Sequence, residues 1–234
     1  MWCVIPVAGK GTRLLPLTRN IPKPLIKIGG RTIIEHLLDN ILPSISKICI
    51  ITNHMDYHVQ NVIGDEFFSI PVRYAEQKMP LGLADAVLQA KEYVRGTFIL
   101  VMGDSYYAAS LSSYIRDWQR SGTDGAILVQ NVIYPVTENI GMVRVRGNRI
   151  VEIKKGIPEI NESYLRICGL MILPEAIFEL CKEVQVSGNN EFEIETAVQA
   201  LVDEGAELIP LHYKGWRKNI NTIKDLDDVR RKRF

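Results

Sequence analysis

The chain has 234 residues, 47% of them apolar, and a formal net charge of +1, which suits one large globular domain over residues 1–234 and argues against a nucleic-acid partner, since such binders carry a basic excess. No apolar stretch approaches the ~18 residues that span a bilayer and the N-terminus lacks the charged start of a leader, so a cytoplasmic protein with no membrane partner is expected. Cys3, Cys49, Cys168 and Cys181 form no close pairs and read as buried, reduced thiols.

The first element is a short apolar run near residues 3 to 7, of strand length and β-branched content. Ala8-Gly9-Lys10-Gly11-Thr12-Arg13 follows, and then Pro16, Thr18 and Pro22-Lys23. Glycine tolerates positive φ, so a turn through Gly9 and Gly11 can aim consecutive N–H groups at phosphate oxygens. Lys10, Arg13 and Lys23 add positive charge, the arginine in a fork suited to bidentate contact. An ordinary turn accounts for Gly-Lys-Gly alone. The segment fails as a dinucleotide fingerprint, because the third glycine is replaced by Leu14 and the next apolar run ends in Thr52-Asn53 without an acid. It also fails as a P-loop, lacking Gly-Lys-Ser/Thr.

Helix-period and apolar segments then alternate: a helix near 32 to 42, a strand near 47 to 52, a helix near 56 to 63, a strand near 72 to 75 and a helix near 82 to 94. A strand near 97 to 102, a helix near 110 to 121 and a strand near 125 to 132 continue the series, which predicts a parallel sheet with ligands at its carboxyl ends. His54 and His58 are four apart, but no third zinc ligand accompanies them. Gln77 leaves one strand, and its amide offers the donor and acceptor that match the imide edge of uracil or thymine, with Gly82 letting backbone approach the ring. Taken alone, a loop glutamine is ordinarily just solvated. Asp104 follows a buried strand, where one carboxylate plus substrate phosphates suffices for Mg²⁺; a turn or cap aspartate is the plain alternative. Tyr106-Tyr107 suits ligand stacking and packing equally.

Residues 142–153 alternate and turn through Gly147-Asn148 like a β-hairpin. A strand near 166 to 172, a helix opened by Pro174, a helix near 191 to 204, a strand near 207 to 213 and a helix after Asn221 complete the chain. Asn221 or Thr222 serves as a cap, Asn219 offers an amide oxygen for a metal, and the basic run Arg230 to Arg233 suits a helix C-terminus.

In this order the segments Ala-Gly-x-Gly-Thr-Arg, Pro-Lys, Gln with Leu-Gly-Leu-Ala-Asp-Ala, Gly-Asp, Gly141 before the hairpin and Trp-x-x-Asn-x-x-Thr resemble the sugar-1-phosphate nucleotidyltransferases, nearest the glucose-1-phosphate thymidylyltransferase and uridylyltransferase group, over nearly the whole chain. The resemblance implies an α/β fold, a Rossmann-like mostly parallel mixed sheet flanked by helices, with the hairpin near the sugar site. It implies a Mg²⁺-dependent enzyme joining UTP or dTTP to a sugar 1-phosphate, compatible with a homo-oligomer. Ala8, Gly9, Lys10, Gly11, Thr12 and Arg13 would hold the triphosphate and Gln77 and Gly82 the base. Lys23 would face the reacting phosphates, Asp104 and Asn219 would hold Mg²⁺, and Gly141, Lys155 and Gly169 would hold the sugar phosphate. Arg13, Lys23 and Asp104 would carry catalysis.

Two departures stand out. The family's Trp-x-Asp-x-Gly, whose aspartate is a second metal ligand, reads here as Asn219 and Asn221, a variation that resembles the acetylglucosamine-1-phosphate uridylyltransferases, and its Glu-Lys-Pro reads Lys154-Lys155-Gly156, removing the glutamate that would bind a sugar hydroxyl. Glu193-Ile194-Glu195-Thr196 matches a third family motif imperfectly. These departures leave a rival reading, a sugar-nucleotide-binding or regulatory protein with weakened chemistry.

Overall fold

A computed structural model describes residues 1–53, 57–160, 162–188 and 191–232. Four parallel strands form its centre: β1 (Trp2–Pro6), β4 (Lys47–Thr52), β6 (Ile70–Glu76) and β7 (Phe98–Val101), in the order β7-β1-β4-β6. Two ribbon strands, β2 (Lys27–Ile28) and β3 (Arg31–Thr32), lie between the first two, and β5 (Glu66–Phe67) pairs antiparallel with β6. The chain runs outward from β1 through β4 to β6, then returns to β7 on the other side of β1. That reversal opens a crevice at the carboxyl ends of β1 and β7, where open α/β sheets hold ligands.

Later strands extend the sheet beyond β7 and make it mixed. They are β9 (Gly125–Asn131), the hairpin β10 (Ile140–Arg146) and β11 (Arg149–Gly156), β12 (Leu165–Leu173) and β13 (Leu208–His212). Strand β12 runs antiparallel to β7, β9 and β10, whereas β13 is parallel to β9. The antiparallel insertion of β12 lies outside what alternation predicts, since an apolar run carries no strand direction. Two three-residue strands, β8 (Ser105–Tyr107) and β14 (Arg217–Asn219), pair antiparallel in a separate ribbon. Neither was expected, being too short for a periodic signal.

Alternation along each strand divides the core. Cys3 and Ile5 join Ile48, Ile50, Ile99 and Val101 on one face, beneath α1 (Ile33–Ile41), α2 (Tyr57–Ile63) and the start of α4 (Ser112–Ser121). Val4, Cys49, Ile51, Phe98 and Leu100 point to the other, beneath α3 (Leu83–Gln89), α5 (Ile177–Glu183) and α6 (Ile194–Asp203). Helix α1 buries Ile34, Leu37, Leu38 and Ile41, the spacing of one helical face, and starts at Thr32 in a capping box with Glu35. A third cluster joins Leu14, Ile26 and Ile28 of the first loop region to Ile220 and to Leu226 and Val229 of α7 (Ile223–Arg231). The two ends of the sequence thus share a core, which holds the first loop against the last strand.

All four cysteines are buried and free, and burial pushes the Cys49 and Cys181 thiols up to about 12. Among the described residues, no helix is long and apolar enough to cross a membrane.

Candidate active site

The loop after β1 starts at the crevice. Val7 continues the strand by donating its N–H to Ile51, and Ala8, also buried, accepts from Asn53 Nδ2. Gly11 adopts φ +61° and opens a single 3-10 turn, Thr12–Leu14, in which Leu14 is fully buried and Arg13 stays exposed. Thr18 Oγ1 donates to the Gly11 carbonyl at 2.8 Å, folding the loop back on itself. Gly9, Lys10, Lys23 and Arg19 line a cavity of about 420 Å³ at this mouth, shared with Asn53 and His58. His54, the other member of the histidine pair, lies outside the described residues.

Lys23 sits between Pro22 and Pro24 in another 3-10 turn, with its side chain only partly exposed. Its Nζ donates to Asp104 Oδ2 at 2.7 Å and to Asn221 Oδ1 at 2.9 Å. Asp104 arrives there because β7 ends at Val101 and Gly103 packs flat on β1, where a Cβ would stand 3.0 Å from the Pro6 carbonyl. Asn221 arrives because the backbone N–H of Ile220 bonds the Asp104 carbonyl at 2.9 Å and Asn221 enters the cap of α7.

Asn219 faces a different set of groups. Its Oδ1 accepts from the buried Ser105 hydroxyl at 2.9 Å and from the Arg217 guanidinium. Arg217 Nε is itself buried without a partner among the described residues. Arg13, Arg166, Arg217 and Lys218 border a second cavity of about 330 Å³ with Asn219 and Asn221; Asp225 and Glu138, also on its wall, pair with Lys218 and Arg166, and the four cations outnumber them, which suits phosphates. Sequence reading left Arg166 and Arg217 outside the site; the pairing of β14 with β8 that brings Arg217 inward is not written in any local pattern.

Among the described residues no three His, Cys, Asp or Glu side chains converge as a closed metal site. The donor set nonetheless fits a hard divalent cation. A carboxylate oxygen and an amide oxygen already converge on one positive charge, the Lys23 ammonium, and Mg²⁺ takes only a few protein oxygens when phosphates complete its shell.

Gln77 directly follows β6 and is only 5% exposed. Its Nε2 donates to the Gly82 carbonyl at 2.9 Å and to Asp85 Oδ2 at 2.8 Å, so the two residues expected at the base lie together. Gly82 has φ +114°, and a Cβ there would come within 2.6 Å of both N and O of Phe192. Phe192 also bonds Leu81 and Ala84 through its backbone, strapping this loop to the start of α6.

Leu83, Met102, Gly141, Gly169, Glu195 and Asn219 are among the residues lining a third cavity of about 130 Å³. Gly169 has φ +73° where β12 changes register against β9, and a Cβ would stand 2.9 Å from Ser105 Oγ. Gly141 is close to Glu195, whose Oε1 would lie 2.7 Å from a Cβ placed there. Burial pushes the Glu195 carboxyl above its ordinary value, against the opposing pull of its own backbone N–H and of Lys155. Lys155 Nζ lies 3.4 Å from Glu193 and 3.5 Å from Glu191. Burial works against the Lys155 charge, yet Glu195, Glu193 and Glu191 outweigh it and hold its pKa above the usual lysine value. Lys154 is directed away from these residues, over the ring of Tyr164 and beside Glu152 and Glu162. The adjacent tyrosines pack: Tyr107 is buried and donates to the Cys168 carbonyl at 2.6 Å, and Tyr106 lies against His36 and Trp216. Arg230 and Arg231 occupy the last turn of α7, and Arg233 is outside the described residues.

The model of a nucleotidyl transferase family matches residues 3–232. The chain is 30% identical over 231 residues to AglF of Haloferax volcanii, a UTP–glucose-1-phosphate uridylyltransferase, covering 98% of this chain and 95% of that protein. It is 31% identical over 223 residues to the bifunctional protein GlmU of Methanococcus maripaludis, covering 94% of this chain but only 51% of that longer protein. The structure of a UDP-glucose pyrophosphorylase complexed with UDP-glucose superposes with a TM-score of 0.81 at 21% identity, over 98% of this chain and 97% of that one. This last likeness speaks to the fold.

Proposed function

The chain belongs to the nucleotidyl transferase family, and from that premise we propose that it transfers a uridylyl group from UTP, with dTTP as the competing donor, to glucose 1-phosphate. The products are a nucleotide-diphosphate sugar and pyrophosphate. The observation that carries this reading is the meeting of the first loop, Asp104 and Asn221 on one ammonium, Lys23 Nζ, next to a small cavity lined by Gly141 and Gly169. The uridylyltransferase activity of the 30%-identical relative supports glucose and UTP as the substrates.

A phosphate oxygen of the sugar attacks the α-phosphorus in line. A new P–O bond forms, the bond from the α-phosphorus to its bridging oxygen breaks, and pyrophosphate departs with the bridging electrons. The enzyme supplies alignment, which contributes up to ~7–11 kcal/mol in favourable intramolecular cases, and compensation of charge. Backbone N–H groups from Ala8 to Thr12, with Lys10 and Arg13, hold the triphosphate. Lys23 neutralises the reacting phosphates, Gln77 and Gly82 hold the base, and Lys155 meets the sugar phosphate. Asp104, with an amide oxygen of Asn221 or Asn219, would hold Mg²⁺, which supplies further neutralisation of the phosphate charge.

A pyrophosphate-release assay crossing nucleoside triphosphates with sugar 1-phosphates, with and without Mg²⁺, tests the proposal. Release with UTP and glucose 1-phosphate, dependent on Mg²⁺, is expected. Release with no pair would defeat it and leave nucleotide binding or regulation as the function. A preference for ATP, GTP or CTP would remove Gln77 from its role at the base.

A further inference from the structure

The nucleotidyl-transfer reading, on which this inference rests, leaves the sugar without its usual carboxylate, because residue 154 is a lysine directed toward Tyr164, Glu152 and Glu162. We propose that Glu195 supplies the missing group: its carboxylate accepts a hydrogen bond from a ring hydroxyl of the sugar 1-phosphate and sets the choice of sugar.

Three observations converge on Glu195. It stands in the first turn of α6 and lines the cavity of about 130 Å³ shared by Gly141, Gly169 and Asn219. Its Oε1 is so near Gly141 that a Cβ on that residue would approach to 2.7 Å, which places the carboxylate at the glycine expected on the sugar side. The neighbouring acids are already engaged: Glu193 and Glu191 lie against Lys155. Among the described residues no other side chain donates a hydrogen bond to Glu195 and no cation lies within ion-pair distance of it. The half-buried Glu195 carboxylate has only its own backbone N–H as a donor, and a sugar hydroxyl supplies a further one. The rest of the cavity suits the ligand: Leu83, Met102 and Ile167 offer apolar surface to the C–H face of a ring. The changed motif and the vacated position 154 therefore compensate one another, with the carboxylate delivered from helix α6 instead of the hairpin.

Steady-state kinetics of Glu195→Ala and Glu195→Gln, read as separate KM values for UTP and glucose 1-phosphate, test this assignment. Losing a charge-assisted hydrogen bond should raise the sugar KM of the alanine variant by about tenfold or more, with the glutamine variant intermediate. The UTP KM should stay within about twofold, which a general loss of folding would not produce. Deoxyglucose 1-phosphates add a cycle: the analogue lacking the partner hydroxyl should be a poor substrate for the wild type, yet no worse than glucose 1-phosphate for Glu195→Ala. Unchanged sugar KM values in both variants, or a discrimination among deoxy analogues that survives Glu195→Ala, would overturn the assignment while leaving the enzyme intact. Absence of pyrophosphate release by the wild type would instead defeat the underlying reading.

Discussion

Lys23 Nζ lies 2.7 Å from Asp104 Oδ2 although 81 residues separate them in sequence. The lysine side chain is 13% exposed and the aspartate 30%, so the pair stands at the boundary of the crevice and each partner remains reachable by a ligand. This contact joins the glycine loop after β1 to the end of β7, the two edges of the crevice.

Replacing Lys23 by Ala, or Asp104 by Asn, should depress turnover much more than folding. Removing one preorganised charge from such a site costs ~10²–10³ in kcat, whereas losing an ion pair that stays open to solvent on the aspartate side costs on the order of 1 kcal/mol of stability. Pyrophosphate release and urea denaturation on the same preparations check both parts. Wild-type turnover in either variant would refute the role given to the pair.

Asn219→Asp should strengthen divalent-cation binding without disturbing the ribbon. The new carboxylate retains the acceptor for Ser105 and Arg217 while adding a negative charge to the wall of the cavity it shares with Asn221. The Mg²⁺ concentration giving half-maximal pyrophosphate release is expected to fall severalfold. An unchanged or higher requirement would argue that Asn219 serves the ribbon alone.

Gly82→Ala should destabilise the protein by at least about 2 kcal/mol, because it combines an unfavourable backbone region with a steric collision. The added methyl would meet Phe192 N and O at 2.6 Å, and φ is +114°. Because Gln77 donates to the Gly82 carbonyl, the UTP KM should rise as well. Thermal unfolding and the KM for UTP are the measurements; a variant with wild-type values of both would show that the loop relaxes freely.

Asp225 makes the C-terminal helix sensitive to acid. Burial raises its pKa, but hydrogen bonds from Lys218, Thr222 and the backbone of Asn221 and Thr222 outweigh that effect and hold it below the usual aspartate value. A carboxyl depressed in the folded state stabilises above its unfolded pKa of ~3.9, and the benefit disappears as pH falls through the folded value. Asp225→Ala should therefore cost about 1 kcal/mol at neutral pH through the lost capping box, and progressively less below pH ~3.9. Denaturation midpoints of both proteins at several pH values would reveal whether the gap narrows.

Much of this architecture was readable because it is local. The alternation of apolar runs with helical periods gave the central strands, and turn chemistry at Gly147-Asn148 gave the hairpin, which the structure extends to residues 140–156. The helix expected over 82 to 94 narrows to Leu83–Gln89 and then tightens into a 3-10 turn at Ala90–Glu92, a boundary that propensity defines poorly. The site was legible where glycine, lysine and aspartate punctuate strand ends. It was obscure where partners come from distant, short segments. Nothing local announces that Asn221 meets Lys23, that Arg217 reaches Asn219, or that Glu195 of α6 approaches Gly141; each depends on which strand neighbours which.

Lys23 and Asn221 are separated by 198 residues and meet at 2.9 Å. That hydrogen bond and the apolar cluster of Leu14, Ile26 and Ile28 with Ile220, Leu226 and Val229 tie the same two segments together twice. A shift of α7 would therefore be felt at the loop after β1, and a substitution packed beneath one wall of the crevice would alter the other wall.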